Sequence, residues 1–289
     1  MQALVGSRLS LHRTMDFTAR GTVLINDFKN WGESLHQLLD AARAFRVLGG
    51  QRTVLIKPNL VEALKPPVTT PVEGVSCLID YLRDISPDVE IIVGEGSGAK
   101  DYDTWRAFEA LGYAAMAREK AVRLVDLNNE PLVRLTRPDC RRWPEMHLPK
   151  IVFDSYLISF PVLKVHTLAS VTLAMKNMIG IAPPRYYQKE GFWKKASFHD
   201  GIHEAIFDLN RYRAPDFVII DATVGMREAH LYGPTCDPPP NLLICSKDPV
   251  AADACGAGLL KKDWRRINHI LLADGVLGSA DPLKIVRVS

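Results

Sequence analysis

TVLIKP, residues Thr53 to Pro58, is the stretch on which the fold turns. Val54, Leu55 and Ile56 are consecutively apolar, and a strand without alternation is buried on both faces, as in a parallel sheet. Pro58 removes a backbone donor and ends the strand. A loop, NLVEALKPPV, follows. Thr70-Pro71-Val72-Glu73 then predicts a helix start: Thr70 as N-cap, Pro71 in the first helical position, and Glu73 closing a capping box. That helix runs to about Ile85 with Val75, Leu78, Ile79 and Leu82 inward. Val89–Gly94 is the next strand. The loop GEGSGAKDY leads to an Asp103-capped helix that stops before Gly112, and Val122–Leu127 is a third strand. Strands alternating with helices predict a parallel α/β arrangement with right-handed connections. Ligands in such sheets sit at the carboxyl ends of the strands, which puts the KPNLVE and GEGSG loops on one rim.

Working outward, Thr22–Asn26 is a short strand, and Asn30 starts a helical pattern through Leu35, Leu38, Leu39, Ala42 and Phe45, closed by Gly49 and Gly50. Residues 1–18 are expected to be a flexible arm. Residues 128–149 are expected to be a pair of edge strands or an excursion. Residues 150–164 hold two apolar segments, and 182–201, polar and aromatic, form a loop long enough to act as a lid. A helix over Phe198–Tyr212, strands at Phe217–Asp221 and Asn241–Ser246, an Asp248-capped helix to Leu260 and an Asp263-capped helix to Ala273 come next. The sequence IVRV closes the sheet. The expected fold class is α/β, with parallel or mixed sheets and flanking helices. Residues 19–289 form one domain, divisible into lobes 19–150 and 151–289 around a cleft.

Composition narrows the function. The 289 residues are 47% hydrophobic and 24% charged, ordinary for a globular protein, and 36 basic against 33 acidic residues leave a net charge of +3. That balance argues against nucleic acid as partner, and no apolar run reaches membrane-spanning length. The five cysteines are scattered with no CxxC pair, which points to reduced thiols, a cytoplasmic location and no iron–sulfur site in this chain. A homo-oligomer stays open.

The densest chemistry lies in SFPVLKVHTLASVTLAMKNMIG, Ser159–Gly180. Lys164, His166, Lys176 and Asn177 stand there among apolar residues, and a buried ammonium needs a partner, a charged ligand or a chemical role. Lys57 and Asn59 flank Pro58 at a strand end and face the expected cleft, or reach solvent along an apolar stem. Gly96 and Ser97 in GEGSG either cradle an anion with backbone N–H groups or make a tight turn. His199 and His203, four apart, are expected to share a helix face, as half a metal site or as a surface pair. Asp221, Glu228 and Asp253 are acids that pair cleft lysines or hold a metal through oxygen, with Asp253 alternatively a buried structural partner. His230 follows Glu228 in the same loop. No nucleophile elbow occurs.

VLIKPNLV, TTPVEGV, IIVGEGSG, FPVLKVHTLASVTLAMKNMIG, FVIIDATVGMREAH and DPVAADACGAG, in this order, resemble the domain-of-unknown-function-362 family over roughly Val54–Gly278. Members are often joined to a ferredoxin-like module, so the resemblance implies a ferredoxin-like redox partner. More distantly the chain is similar to the nickel-pincer lactate racemase family. There a catalytic histidine precedes a cofactor-bearing lysine by ten residues, the spacing of His166 and Lys176. The resemblance makes His199 the candidate nickel ligand and a metal ion, nickel or another divalent cation, the candidate cofactor. That family's second catalytic histidine has no counterpart in GEGSG.

The expectation is an enzyme that binds a small anionic substrate or phosphate-bearing cofactor between the lobes. His166 would be the general acid/base, with the pKa of an ordinary histidine suited to neutral pH. Lys164 and Lys176 would anchor the anion or cofactor. Metal-assisted isomerase or redox chemistry is the expected reaction class, and a non-catalytic anion-binding or scaffold protein is the alternative.

Overall fold

The computed structural model describes residues 17–190 and 192–288. In chain order the strands are β1 (Thr22–Asp27), β2 (Thr53–Pro58), β3 (Glu90–Glu95), β4 (Arg123–Asp126), β5 (Leu132–Thr136), β6 (Glu145–Pro149), β7 (Tyr156–Phe160), β8 (Val162–His166), β9 (Ser170–Thr172), β10 (Phe217–Met226), β11 (Leu242–Ser246) and β12 (Lys284–Arg287). Ten of them form one sheet in the order β12-β1-β11-β10-β7-β2-β3-β4, with β8 against β10 and β9 against β8. Strands β10, β7, β2, β3 and β4 run parallel, and β11 is antiparallel to both its neighbours. Strands from before and after residue 150 thus interleave in a single mixed, mostly parallel sheet. The remaining pair, β5 and β6, is the antiparallel excursion expected between 128 and 149.

The unbroken apolar run of β2 has the consequence read from it. Val54 and Ile56 bury into the core under the helices Trp31–Ala41 and Val72–Ile85, while Leu55 buries on the opposite face with Leu157 and Met178. The central strands β10 and β11 divide in the same way, Phe217 and Ile219 to the first face and Val218 and Ile220 to the second. Helix Pro249–Leu259 packs against that second face, and so few of its residues are polar because it is buried nearly all round.

Local expectations failed where a side chain had a better partner or the backbone had to turn. Asn30, Asp103 and Asp248 cap their helices as expected. Thr70 does not: its hydroxyl donates to the Phe160 carbonyl and accepts from Asn59 N–H, so it ties two strand ends together. The first helix stops at Ala41, and Arg43, at φ 51°, turns the chain into a separate helix Phe45–Leu48. Asp263 caps a short 3-10 turn, Trp264–Arg266, ahead of a separate helix Asn268–Ala273. Residues 1–16 of the expected arm lie outside the described residues; Phe17 is buried, its ring 5.7 Å from that of Phe217. Among the described residues no helix is long and apolar enough to cross a membrane.

Candidate functional site

The register places the carboxyl ends of β2, β3 and β7 side by side, with Lys57 opposite Ser159 and Pro58 opposite Phe160. A cavity of about 360 Å³ opens there. Of the residues singled out in the sequence, it brings together Lys57, Asn59, Gly96, His166, Lys176, Asn177 and His199. Lys164 and Ser97 are not in its lining.

One wall is a closed polar network. The Lys57 ammonium sits 2.7 Å from Glu95 Oε1, both side chains fully buried, and donates to Asn177 Oδ1 at 3.1 Å and the Pro58 carbonyl at 3.1 Å. Glu95 also accepts from Leu60 and Gly96 N–H, so its charge is held by three donors in a low-dielectric setting. Asn177 returns the contact, donating to the Lys57 carbonyl at 3.2 Å and to Ser159 Oγ at 3.0 Å. Asn59 donates to Asn177 Oδ1 and accepts from the buried Lys164 ammonium at 2.8 Å. Lys164 has only neutral acceptors, Asn59 and the Val68 carbonyl. Burial, reinforced by the charge of Lys176, pushes its pKa down to about 7. Burial lowers the Lys57 pKa as well, and Glu95 opposes that shift. Gly96 and Gly180 are glycines for want of space: a methyl on Gly180 would overlap the Glu95 carboxylate and the Lys57 ammonium, and one on Gly96 the Gly180 carbonyl and Asn128.

The facing wall is open. Lys176, half-buried in the cavity lining, makes no hydrogen bond or ion pair with any described residue. Burial, together with the charge of Lys57, pulls its pKa down to about 8. The short helix that carries it, Ala174–Asn177, is held from behind: Asp253 accepts from Ala174 N–H at 2.7 Å and Met175 N–H at 3.1 Å, and Asn210 donates to the Met175 carbonyl. His166 Nδ1 accepts from the N–H groups of Leu168 and Ala169, each at 3.1 Å. An imidazole that accepts at Nδ1 carries its proton on Nε2, and that N–H has no acceptor among the described residues. The ring stacks on His230, centroids 4.2 Å apart. Burial, then Lys176, His230, His199 and Lys164, drives the His166 pKa far below the ordinary histidine range. The same surroundings hold His230 down at about 3, and burial with Lys176 lowers His199. His166 is therefore a neutral N–H donor at physiological pH, not the histidine of ordinary pKa expected from sequence.

The roof is the 182–201 segment, which is not the structureless loop its length suggested. It contains a helical turn at Pro184–Tyr187 and a 3-10 turn at Ala196–Phe198, and buries Tyr187 and Phe198 against Trp143. Its latch is Lys195, buried, donating to Asn128 Oδ1 at 2.7 Å and to the Gly180 and Ala182 carbonyls. Burial lowers the Lys195 pKa to about 7 against the opposing pull of Glu95.

The model for the domain of unknown function DUF362 matches residues 54–258. The chain belongs to the DUF362 family. No curated protein matches it by sequence. Among solved structures it is similar to the lactate racemase apoprotein from Thermoanaerobacterium thermosaccharolyticum, at 12% identity and a TM-score of 0.52. The likeness covers 85% of this chain but 58% of that one, so this DUF362 chain spans less than two-thirds of the length of the structure it matches, and the likeness is one of fold.

The expected metal set does not gather in this DUF362 chain. Asp253 spends both oxygens on the Ala174–Asn177 helix, and burial raises its pKa to about 7. Asp221 is buried and accepts from the Thr223 N–H and hydroxyl, while Glu228 pairs with Arg227 on the surface. His199 and His203 do not share a helix face: the helix begins at Ile202, so His199 precedes it and lines the cavity, while His203 Nδ1 lies 3.0 Å from His269 Nδ1. Among the described residues no three His, Cys, Asp or Glu side chains are grouped to hold a metal ion. Ser97 Oγ donates to the Val61 carbonyl and serves its own loop.

Two residues of the site, Glu95 and Lys195, were passed over in the sequence. Glu95 had a readable signal: a lysine at the end of one buried strand calls for an acid at the end of its neighbour. Lys195 stood in a polar run where nothing separates a buried lysine from a solvated one, while His230, named beside Glu228, lines the cavity.

Proposed function

We propose that the cavity binds a small oxyanion, with Lys176 as its direct charge partner, and that the chain acts on that ligand as an enzyme. The observation that carries this is the unpartnered Lys176 ammonium, set among Lys57, Lys164 and Lys195 with Glu95 as the buried counter-charge. Cations held this close in a half-dry cavity raise each other's free energy, and an incoming anion relieves it. His166 Nε2–H adds a neutral donor where negative charge develops. With its pKa about 8, Lys176 exists as both ammonium and amine near neutrality and is the acid/base of the site in place of His166. That assignment suits proton-transfer chemistry on a bound anion, such as isomerisation. Among the described residues the candidate metal donors stand apart, and the proton transfer rests on Lys176 alone.

A second reading, a non-catalytic anion-binding protein, is favoured by one observation: His166 offers the ligand a donor and no base. Calorimetry with inorganic phosphate tests the shared claim. The native protein is expected to bind, and Lys176→Met to lose at least tenfold in affinity, in line with removal of a charged hydrogen-bond partner worth about 1.5–3 kcal/mol. Equal affinity in the two proteins refutes it. Deuterium uptake from D2O into small bound carboxylates separates enzyme from binder.

A further inference from the structure

We infer that the ligand is an amphipathic oxyanion, a phosphate or carboxylate carrying an aromatic or aliphatic body, whose body lies against an apolar mouth built by Leu168, Trp193 and Leu231. This rests on the anion reading of the cavity and adds the part of the ligand that charge does not describe. The cavity lining divides by chemistry and by exposure, buried polar groups against exposed apolar ones. Its floor holds Lys57, Lys176 and His166; the rest of its lining includes Ile179, Phe198, Leu168, Trp193 and Leu231.

Phe198 is buried and belongs to the core, so it needs no ligand to explain it. The rim does. Leu168 is 55% exposed and Trp193 39% exposed, although both line the cavity. The backbone at Leu168 is held by its N–H, which donates to His166 Nδ1, and Trp193 precedes the Lys194–Lys195 pair that ties the roof to Tyr102, Asn128 and Gly180. Phe192 packs edge-on against Trp193 at 5.1 Å and is itself covered by Lys100, 4.0 Å from its ring centroid. Exposed apolar side chains in the lining of a cationic cavity leave surface that a ligand body removes from water, while its charged end replaces the missing partner of Lys176. A fully hydrated small ion uses the floor and leaves the mouth wet.

Matched probes test this by calorimetry on the full chain: inorganic phosphate against phenyl phosphate, and acetate against phenylacetate. In each pair the phenyl-bearing member is expected to bind at least about tenfold more tightly, the gain from burying most of a ring. Trp193→Ala and Leu168→Ser, checked for native thermal unfolding, should each bring the ratio within a pair toward one. If phosphate binds and phenyl phosphate binds no better, the amphipathic inference fails and the anion reading stands. If phenyl phosphate binds Lys176→Met as tightly as the native protein, the anion reading fails. Absence of binding by all four probes overturns both. A ratio that survives both rim substitutions places the ring elsewhere and overturns the assignment of the mouth.

Discussion

Two lysines of one cavity, Lys57 and Lys176, have the same chemistry and opposite circumstances. Lys57 is fully buried, 2.7 Å from a carboxylate and within reach of two further oxygens. Lys176 lines the same cavity with no partner among the described residues. Both have lowered pKa values, so perturbation alone does not distinguish them. What separates a structural cation from a functional one is whether the fold has already supplied its counter-charge.

That contrast can be broken from either side. The largest effect is expected from Glu95→Ala, which strands Lys57 as an unpaired buried charge and should cost about 3–5 kcal/mol in denaturant unfolding. The double replacement Lys57→Met, Glu95→Leu should recover most of that loss, because the pair is then absent and no charge is left unpaired. Next comes Asp253→Ala, which removes the acceptor for two buried N–H groups behind Lys176 and should cost about 1–3 kcal/mol. Lys176→Met should change stability least, within about 1 kcal/mol and toward greater stability, since it removes repulsion and no contact. A loss comparable to that of Glu95→Ala would show that Lys176 has a structural partner after all.

The lysines also set a pH dependence. Lys164 and Lys195 at about 7 and Lys176 at about 8 are depressed from 10.5, so between these values the unfolded chain holds more protons than the folded one. Stability should therefore rise as pH goes from 7 to about 8, below the range in which the unfolded chain's cysteines, whose thiols are raised by burial in the fold, release their protons and oppose the rise. Saturating phosphate should flatten that rise, because a bound anion favours the charged lysines. A stability that falls across this window in the ligand-free protein contradicts the depressed values.

The fold was legible because its signals were local and redundant. Val54–Ile56 fixed a strand buried on both faces, and caps at Asn30, Asp103 and Asp248 fixed helix starts. Thr70 misled because a threonine that ties strand ends looks, in sequence, like one that caps a helix. At the site, the lysines of the Ser159–Gly180 stretch stood out as polar residues in apolar surroundings. Which of the site's lysines is paired was not legible, since Lys57, outside that stretch, meets Glu95 only through the register of β2 and β3. The His166 tautomer was hidden for the same kind of reason: it depends on two backbone N–H groups that a sequence does not orient. Nor did Asp253 announce itself as the support of the Lys176 helix from 77 residues farther along the chain (253 minus 176).

The most direct measurement is an NMR titration of the lysine side chains with and without inorganic phosphate, with Lys176 assigned through Lys176→Met. Without ligand, the Lys176 ammonium should titrate near 8; with phosphate bound, its pKa should rise while that of Lys57 stays in place. A Lys176 that titrates near the ordinary lysine value and does not respond to phosphate would contradict the account.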